Sequence, residues 1–325
     1  MLLLVPHLFP SARLLDAAAP NLRLPALEAL LARGTRQGFA TEGVEAALCE
    51  TLGITRQQDW PLAAITLQAD GGDAGTDYWL RADPVHLQVM RDRIVLAGGN
   101  IPDLGRDQAD ALAGSLQAHF GAEFDLRVPQ PQRWYLRLPE PPRLATTPLP
   151  CAAGRDIEPL LPRGADAPLF RTRLNELQMV LHDHPVNQAR EARGQAAVNS
   201  LWLWGGGTLP RVSPCHLRIA TENADARALA DYAGATLVPM PARLGRDGPD
   251  VAVLENLLVP GQVGDALGWR EGVRQVENQI QALLQEGPPF TVADPISGVA
   301  YAWRTADRYK FWCRRIPLRE ALEAV

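Results

Sequence analysis

The chain has 325 residues, 46% of them hydrophobic and 21% charged, with a formal net charge of −5. That is core material for one large or two ordinary domains, and it excludes wholesale disorder. The acidic balance also argues against a general nucleic-acid binder, whose phosphate contacts need a basic face.

The opening MLLLVPHLFPSARLL has an apolar run with no basic segment before it, interrupted by Pro6, His7 and Pro10. A buried first strand is expected there, not a signal peptide. Residues 23–33 place Leu24, Leu27, Leu30 and Leu31 on one helical face, and Gly34 stands where a left-handed C-cap belongs. From about 60 to 138 the texture changes. PLAAITLQAD, DYWLRADPVHLQV and DRIVLAGG read as strands between Asp/Gly turns, RDQADALAGSLQAHF as an amphipathic helix and RWYLRL as a further strand. Eight prolines between 139 and 168 mark an extended connector. Helical spacing returns in LFRTRLNELQMVLHDH, with Leu174, Leu177, Val180 and Leu181 inward, and Pro185 ends it. NSLWLW and HLRIAT read as strands, NADARALADYAG as a helix capped by Asn223, and ATLVPM as a strand. WREGVRQVENQIQALLQEG is a long helix with Val273, Val276, Ile280, Leu283 and Leu284 on one side. FTVAD, VAYAWR and RYKFWCRR read as strands before a short closing helix. The pattern predicts an α/β domain over 1–58 and 165–325, with an α+β domain inserted over 59–140 and a connector over 141–164.

Cys49, Cys151, Cys215 and Cys313 are far apart and show no metal-ligand spacing, as expected of reduced thiols in a cytoplasmic protein. No stretch approaches the roughly 18 apolar residues of a membrane helix, so neither a membrane nor nucleic acid is an expected partner. Lys310 is the only lysine, an arginine preference that reads as base composition rather than a demand for bidentate anion binding.

NSLWLWGGG is the most distinctive run. On a strand, Trp202 and Trp204 share one face and Leu201 and Leu203 the other, as in a central parallel strand covered on both sides. It can be a buried strand ending in a flexible turn. It can also be a ligand site, since open α/β sheets bind beyond the carboxyl ends of their strands and glycine permits close backbone approach. Gly205, Gly206 and Gly207 form neither a P-loop nor a dinucleotide fingerprint. Upstream, HDHPVNQARE offers His182, Asp183, His184, Asn187 and Arg190, which can cap a helix end or hold an anion. RADPVHL adds Arg81, Asp83 and His86, with Asp83 also a turn former before Pro84. No nucleophile elbow or HExxH motif occurs.

HPVNQAREARGQAAVNSLWLWGGG resembles the cofactor-independent phosphoglycerate mutases of archaeal type. APNLRLPALEALLARG resembles a helix near the start of alkaline-phosphatase-superfamily enzymes, and YWLRADPVHLQVMRDRIVLAGGNI resembles strands of the mutase insert domain. LRADPVHL, NELQMVLHDHPVN and NSLWLWGGG together are similar to a bacterial group of RpfE-type regulatory, phosphoglycerate-mutase-like proteins. The resemblance implies an alkaline-phosphatase-like three-layer α/β domain with a mostly parallel sheet and the inserted α+β domain. It also implies two divalent metals and a serine that carries the phosphoryl group.

Against that pattern, the first strand ends in Pro6-His7 instead of Asp-Gly. The serine region corresponds to GVEAALCETLG, which has no serine, and the late Ala-Asp-His motif survives as Ala293-Asp294-Pro295. ENLLVPGQVGDALGWREG contains no histidine where the family has a His-rich stretch. A metal clamp needs several converging ligands, so the expectation is a degenerate, non-catalytic, regulatory mutase relative without catalytic residues, metal or cofactor. Its expected partner is a small anionic metabolite or a regulatory protein. The expected ligand surface is Asn199, Trp202, Trp204, Gly205, Gly206 and Gly207, with His184, Asn187 and Arg190 beside them and Arg81, Asp83 and His86 from the insert. The alternatives are an active mutase or phosphatase that recruits His7, His182 and His184 to manganese or zinc, and a protein in which the Trp/Gly motif is only core.

Overall fold

The computed structural model describes residues 1–20, 22–98, 101, 103–121, 124–313 and 318–323. The chain divides into two compact units, Met1–Leu48 with Pro214–Val325, and Cys49–Ser213. Expectation placed 165–213 in the α/β domain and made 141–164 a bare connector. In the structure both segments pack in the second unit, because their apolar residues (Leu144, Leu149, Ile157, Leu174, Leu177) are buried there.

In chain order, the first unit begins with β1 (Leu2–Leu4), α1 (Ala12–Ala18), α2 (Pro25–Arg33), β2 (Thr35–Gly38) and α3 (Gly43–Thr51), which crosses the boundary. The second unit holds α4 (Leu62–Ala69), β3 (Tyr78–Val85), β4 (Leu87–Val89), β5 (Ile94–Leu96), α5 (Arg106–Phe120), β6 (Asp125–Gln130) and β7 (Arg133–Leu138). It closes with α6 (Leu149–Ala152), a 3-10 turn (Glu158–Leu160), α7 (Ala167–His182), α8 (Pro185–Glu191) and β8 (Ser200–Gly207). The chain then returns to the first unit as β9 (Arg218–Ala220), α9 (Ala224–Tyr232), β10 (Thr236–Leu237), β11 (Val251–Val253), α10 (Leu258–Val263) and α11 (Ala266–Glu286). It ends in β12 (Phe290–Asp294), β13 (Val299–Trp303), a 3-10 turn (Thr305–Tyr309) and α12 (Leu318–Glu323).

The first unit is built on a seven-stranded sheet of order β10-β9-β11-β1-β12-β13-β2. The pairs from β10 through β12 are parallel, and β13 and β2 add antiparallel edges. Central β1 lies between β11 and β12, with Leu4 in register with Val253 and Ala293. That position explains its unbroken apolar run, since a central parallel strand is covered on both faces. Against it packs α11, whose buried Trp269, Val273, Val276, Ile280 and Leu283 recur every three or four residues. On the same helix, buried Glu277 accepts the backbone N–H groups of Ala26 at 2.6 Å and Leu27 at 2.9 Å. It thereby satisfies donors that the first turn of α2 leaves open, since Leu24 has no side chain to cap them.

The second unit is α+β, with an antiparallel sheet of order β6-β7-β3-β8 and a separate β4-β5 hairpin. Several expectations change here. PLAAITLQAD is the helix α4, buried at every position from Leu62 to Leu67; a helix covered all round shows no amphipathic period, so its apolar run reads like a core strand. NSLWLWGGG is an antiparallel edge strand beside β3, not a central parallel strand, and the three glycines belong to it instead of forming a turn.

In the first unit, Gly34 is extended (φ −68°, ψ 165°), not left-handed. A Cβ there would stand 2.7 Å from the Leu30 carbonyl, so close approach and not handedness calls for glycine. RYKFWCRR is no strand as far as Cys313; it is 3-10 and turn, and Arg314 and Arg315 lie outside the described residues. Strands β2, β6 and β11 have no counterpart in the sequence reading. None of the four cysteines is in a disulfide, and among the described residues no helix is long and apolar enough to cross a membrane.

Candidate functional site

In the first unit, β9, β11, β1 and β12 run parallel, so the residues at or just past the end of each strand lie at one edge of the sheet. Those residues are Thr221, Glu255, the Val5-Pro6-His7 turn and Asp294. This is where an open α/β sheet carries its chemistry. His7 adopts a left-handed conformation (φ 61°) and lies against α10, where a Cβ on Gly261 would sit 2.4 Å from its ring. The His7 carbonyl accepts the indole N–H of Trp269 at 2.9 Å.

Asp294 is the pivot of this edge and is fully buried. Its Oδ1 accepts backbone N–H groups from His7 at 3.1 Å, Ile296 at 2.9 Å and Ser297 at 3.4 Å, and its Oδ2 accepts that of Phe9 at 3.0 Å. Burial pushes its carboxyl above the ordinary carboxylate range, against the opposing pull of these hydrogen bonds. Glu255 is likewise raised by burial and accepts the Asn223 side-chain amide at 2.7 Å, while Thr221 Oγ1 accepts the Asn223 backbone N–H at 3.1 Å.

The donor set does not fit a pair of divalent metals. A carboxylate offers about four lone-pair sites; three backbone donors crowd Oδ1 of Asp294 and a fourth takes one site on Oδ2, so at most one site is left for a cation. Among the described residues no three His, Cys, Asp or Glu side chains are grouped to hold a metal ion. GVEAALCET, within the stretch that the resemblance matches to the serine region, forms α3, with Glu45, Leu48 and Cys49 buried, and contains no serine.

The residues expected to bind a ligand all lie in the second unit, in groups that serve its packing. Arg81 and Asp83, two apart on β3, share a face and form a buried bidentate pair, Nε to Oδ1 at 3.1 Å and Nη2 to Oδ2 at 2.9 Å. The guanidinium lies 5.3 Å from the Tyr135 ring centre and 5.1 Å from that of Trp204, whose indole N–H donates to Asp83 Oδ2 at 2.7 Å. The glycines give way to neighbours. A Cβ would fall 3.1 Å from Leu62 Cβ at Gly205, 2.4 Å from the Tyr78 hydroxyl at Gly206 and 2.5 Å from Pro61 Cβ at Gly207.

Asn187 spends its amide on the Leu181 and Val198 carbonyls and on the Val198 N–H, each at 2.8 Å. Arg190 is fully enclosed and donates to the Ala196 carbonyl at 2.8 Å, the Asp103 carbonyl at 3.2 Å and Gln108 Oε1 at 2.7 Å. Asn199 brackets Leu87 through both its backbone groups, at 2.7 and 2.8 Å, and His86 Nδ1 donates to the Ala197 carbonyl at 2.9 Å. His184 caps α8, its Nδ1 accepting the Val186 N–H at 3.1 Å; the proton therefore sits on Nε2, which donates to Ser115 Oγ at 3.0 Å. The anion cradle expected of Arg190 and Asn187 is absent from this arrangement, because their polar atoms close backbone gaps inside the unit.

Trp202 differs from the rest. Its indole N–H donates to the Thr147 carbonyl at 2.8 Å, and the residue lines a cavity of about 260 Å³ between β8 and α7. Sequence reasoning missed the other walls of this cavity. A signal was present in Arg171, Asn175 and Gln178, which follow one another at helical spacing beside the apolar Leu174.

Comparison with known proteins agrees with the resemblance to phosphoglycerate mutases. A Geobacter sulfurreducens protein named "Probable 2,3-bisphosphoglycerate-independent phosphoglycerate mutase" is 26% identical over 166 residues, which is 50% of this chain and 41% of that one. Its sequence relatives are phosphoglycerate mutases. The mutase of Methanosarcina barkeri is 38% identical over 61 residues, and that of Methanosarcina mazei 40% over 58, covering 19% and 18% of this chain and 15% of each relative. The chain thus matches less than half the length of these mutases. No protein-family model matches it. The solved cofactor-independent phosphoglycerate mutase of Thermoplasma acidophilum overlays 98% of this chain and 93% of its own at 15% identity and a TM-score of 0.45. A Pyrococcus horikoshii structure does so over 99% and 91%, at 16% identity and 0.48. At such values the fold rests on the sheet order itself: the mostly parallel sheet and the α+β insert that kinship with these mutases implies are both present.

Proposed function

We propose that this chain is a mutase relative that has exchanged phosphoryl transfer for binding, and acts as a regulatory protein of the RpfE type. The observation that carries this reading is Asp294. In a two-metal phosphoryl-transfer site a carboxylate at the end of a strand must present free lone pairs to a cation. Here the corresponding carboxylate faces four backbone N–H groups and holds the β1 and β12 ends together. The departures in sequence support the same reading, since the serine region is a core helix and the late motif has Pro295 where histidine is expected. The experiment is a coupled assay for interconversion of phosphoglycerate isomers with manganese present, alongside metal analysis of the purified chain. Neither turnover nor stoichiometric metal is expected; both together would restore the reading as an active, metal-dependent mutase or phosphatase.

A further inference from the structure

The cavity between β8 and α7 in the second unit serves no part of the mutase relationship, and its walls describe a ligand. Its interior is apolar, formed by Leu87, Ile157, Leu161, Leu174 and Leu201 together with Trp202. At 260 Å³ it is below the roughly 300 Å³ at which pockets for drug-sized ligands begin, so it suits a small molecule with one compact apolar group. Two exposed side chains of opposite charge border it, Arg171 on the second turn of α7 and Glu158 on the 3-10 turn. Among the described residues neither is committed to an ion pair or side-chain hydrogen bond. Asn175, Gln178 and the buried Ser200, whose hydroxyl accepts the Gln178 amide at 3.3 Å, supply its polar lining.

We infer that this cavity binds a free apolar α-amino acid, with Arg171 on the carboxylate, Glu158 on the ammonium group and the side chain among the leucines and Trp202. The charge pattern is what selects the class. A simple fatty or aromatic acid would leave the Glu158 carboxylate beside like charge, and an amine would do the same to Arg171. A zwitterion satisfies both and leaves its hydrocarbon to the interior, where removing it from water is favourable. An N-terminal residue of a peptide fits less well because its carboxyl is an amide and offers Arg171 no charge. The inference rests on the reading of this chain as a binding protein, yet the two fail separately: turnover in the mutase assay sinks that reading without moving a titration at this cavity.

The test is isothermal titration of the whole chain with L-leucine and L-phenylalanine, and with 4-methylpentanoate and 3-methylbutylamine, which each lack one charge. One of the amino acids is expected to bind about tenfold or more tightly than either comparator. Arg171→Ala weakens leucine binding by about tenfold and strengthens that of the amine, whereas Glu158→Gln weakens leucine and strengthens 4-methylpentanoate. Both positions are exposed, so unchanged melting temperatures are expected and would show that the variants remain folded. No binding of either amino acid overturns the inference. So does binding of 4-methylpentanoate as tight as that of leucine, or wild-type affinity in both variants.

Discussion

Asp294 is tied into the fold at the end of β12 by backbone hydrogen bonds. Its oxygens accept four backbone N–H groups from the β1 turn and the β12–β13 turn, so its contribution is to stability. Asp294→Ala leaves these donors, that of Phe9 buried and the others part-buried, without their acceptor and is expected to cost about 3 kcal/mol, since even one unsatisfied buried group costs about 1–3. Urea unfolding measures this, and a loss below about 0.5 kcal/mol would contradict the role. His184 makes a second residue-scale case through pH. Burial holds its imidazole below its ordinary value of 6.5, and the folded state needs Nδ1 unprotonated to accept the Val186 N–H. The unfolded chain therefore takes up the proton more readily. Stability is full above pH 6.5 and declines as pH falls through 6.5 toward the lowered folded pKa. His184→Asn, which still caps α8, should flatten that decline in melting curves taken between pH 7 and about 5; a decline of unchanged depth would locate the titration elsewhere.

At the scale of elements, the Trp/Gly run is explained by packing. Gly205, Gly206 and Gly207 leave room for Leu62 and Pro61 at the start of α4 and for Tyr78 on β3. Gly206→Ala places a methyl 2.4 Å from the Tyr78 hydroxyl and 2.7 Å from Leu80, and overpacking of that kind costs about 1–3 kcal/mol. Chemical denaturation of this variant separates the packing role from that of a flexible ligand loop, which would accept alanine at no cost. These elements also show what can be read from sequence. The helices α5, α9 and α11 are legible because one face meets core and the other water, and Asn223 caps α9 as its position suggests, accepting the Ala226 N–H at 2.7 Å. Helix α4 is not legible, since burial on all sides erases its period. Strand β2 is fully exposed and β11 is three residues long, so neither presents an alternation to read. The ligand residues proposed from sequence were types that bind anions, but residue type does not reveal whether a carbonyl has already claimed the side chain. For Arg190 three internal acceptors have done so.

On the scale of the molecule, the chain keeps an architecture that its similarity to phosphoglycerate mutases implies, a mostly parallel α/β unit interrupted by an α+β unit. The frame survives because its residues are core. Leu3 and Leu4 of β1, Val292 and Ala293 of β12 and the α11 stripe answer to packing and not to catalysis. On the proposed reading that phosphoryl transfer has been lost, metal ligands are under no such constraint, and a proline at position 295 or a serine-free α3 costs the fold nothing. The most direct test of that history is turnover of the purified chain on phosphoglycerate with manganese, compared with the same assay on Asp294→Asn. The expected result is a rate indistinguishable from the enzyme-free blank for both proteins. A rate that scales with protein concentration in the wild type and disappears in the variant would show that Asp294 still serves a metal, and would contradict the account.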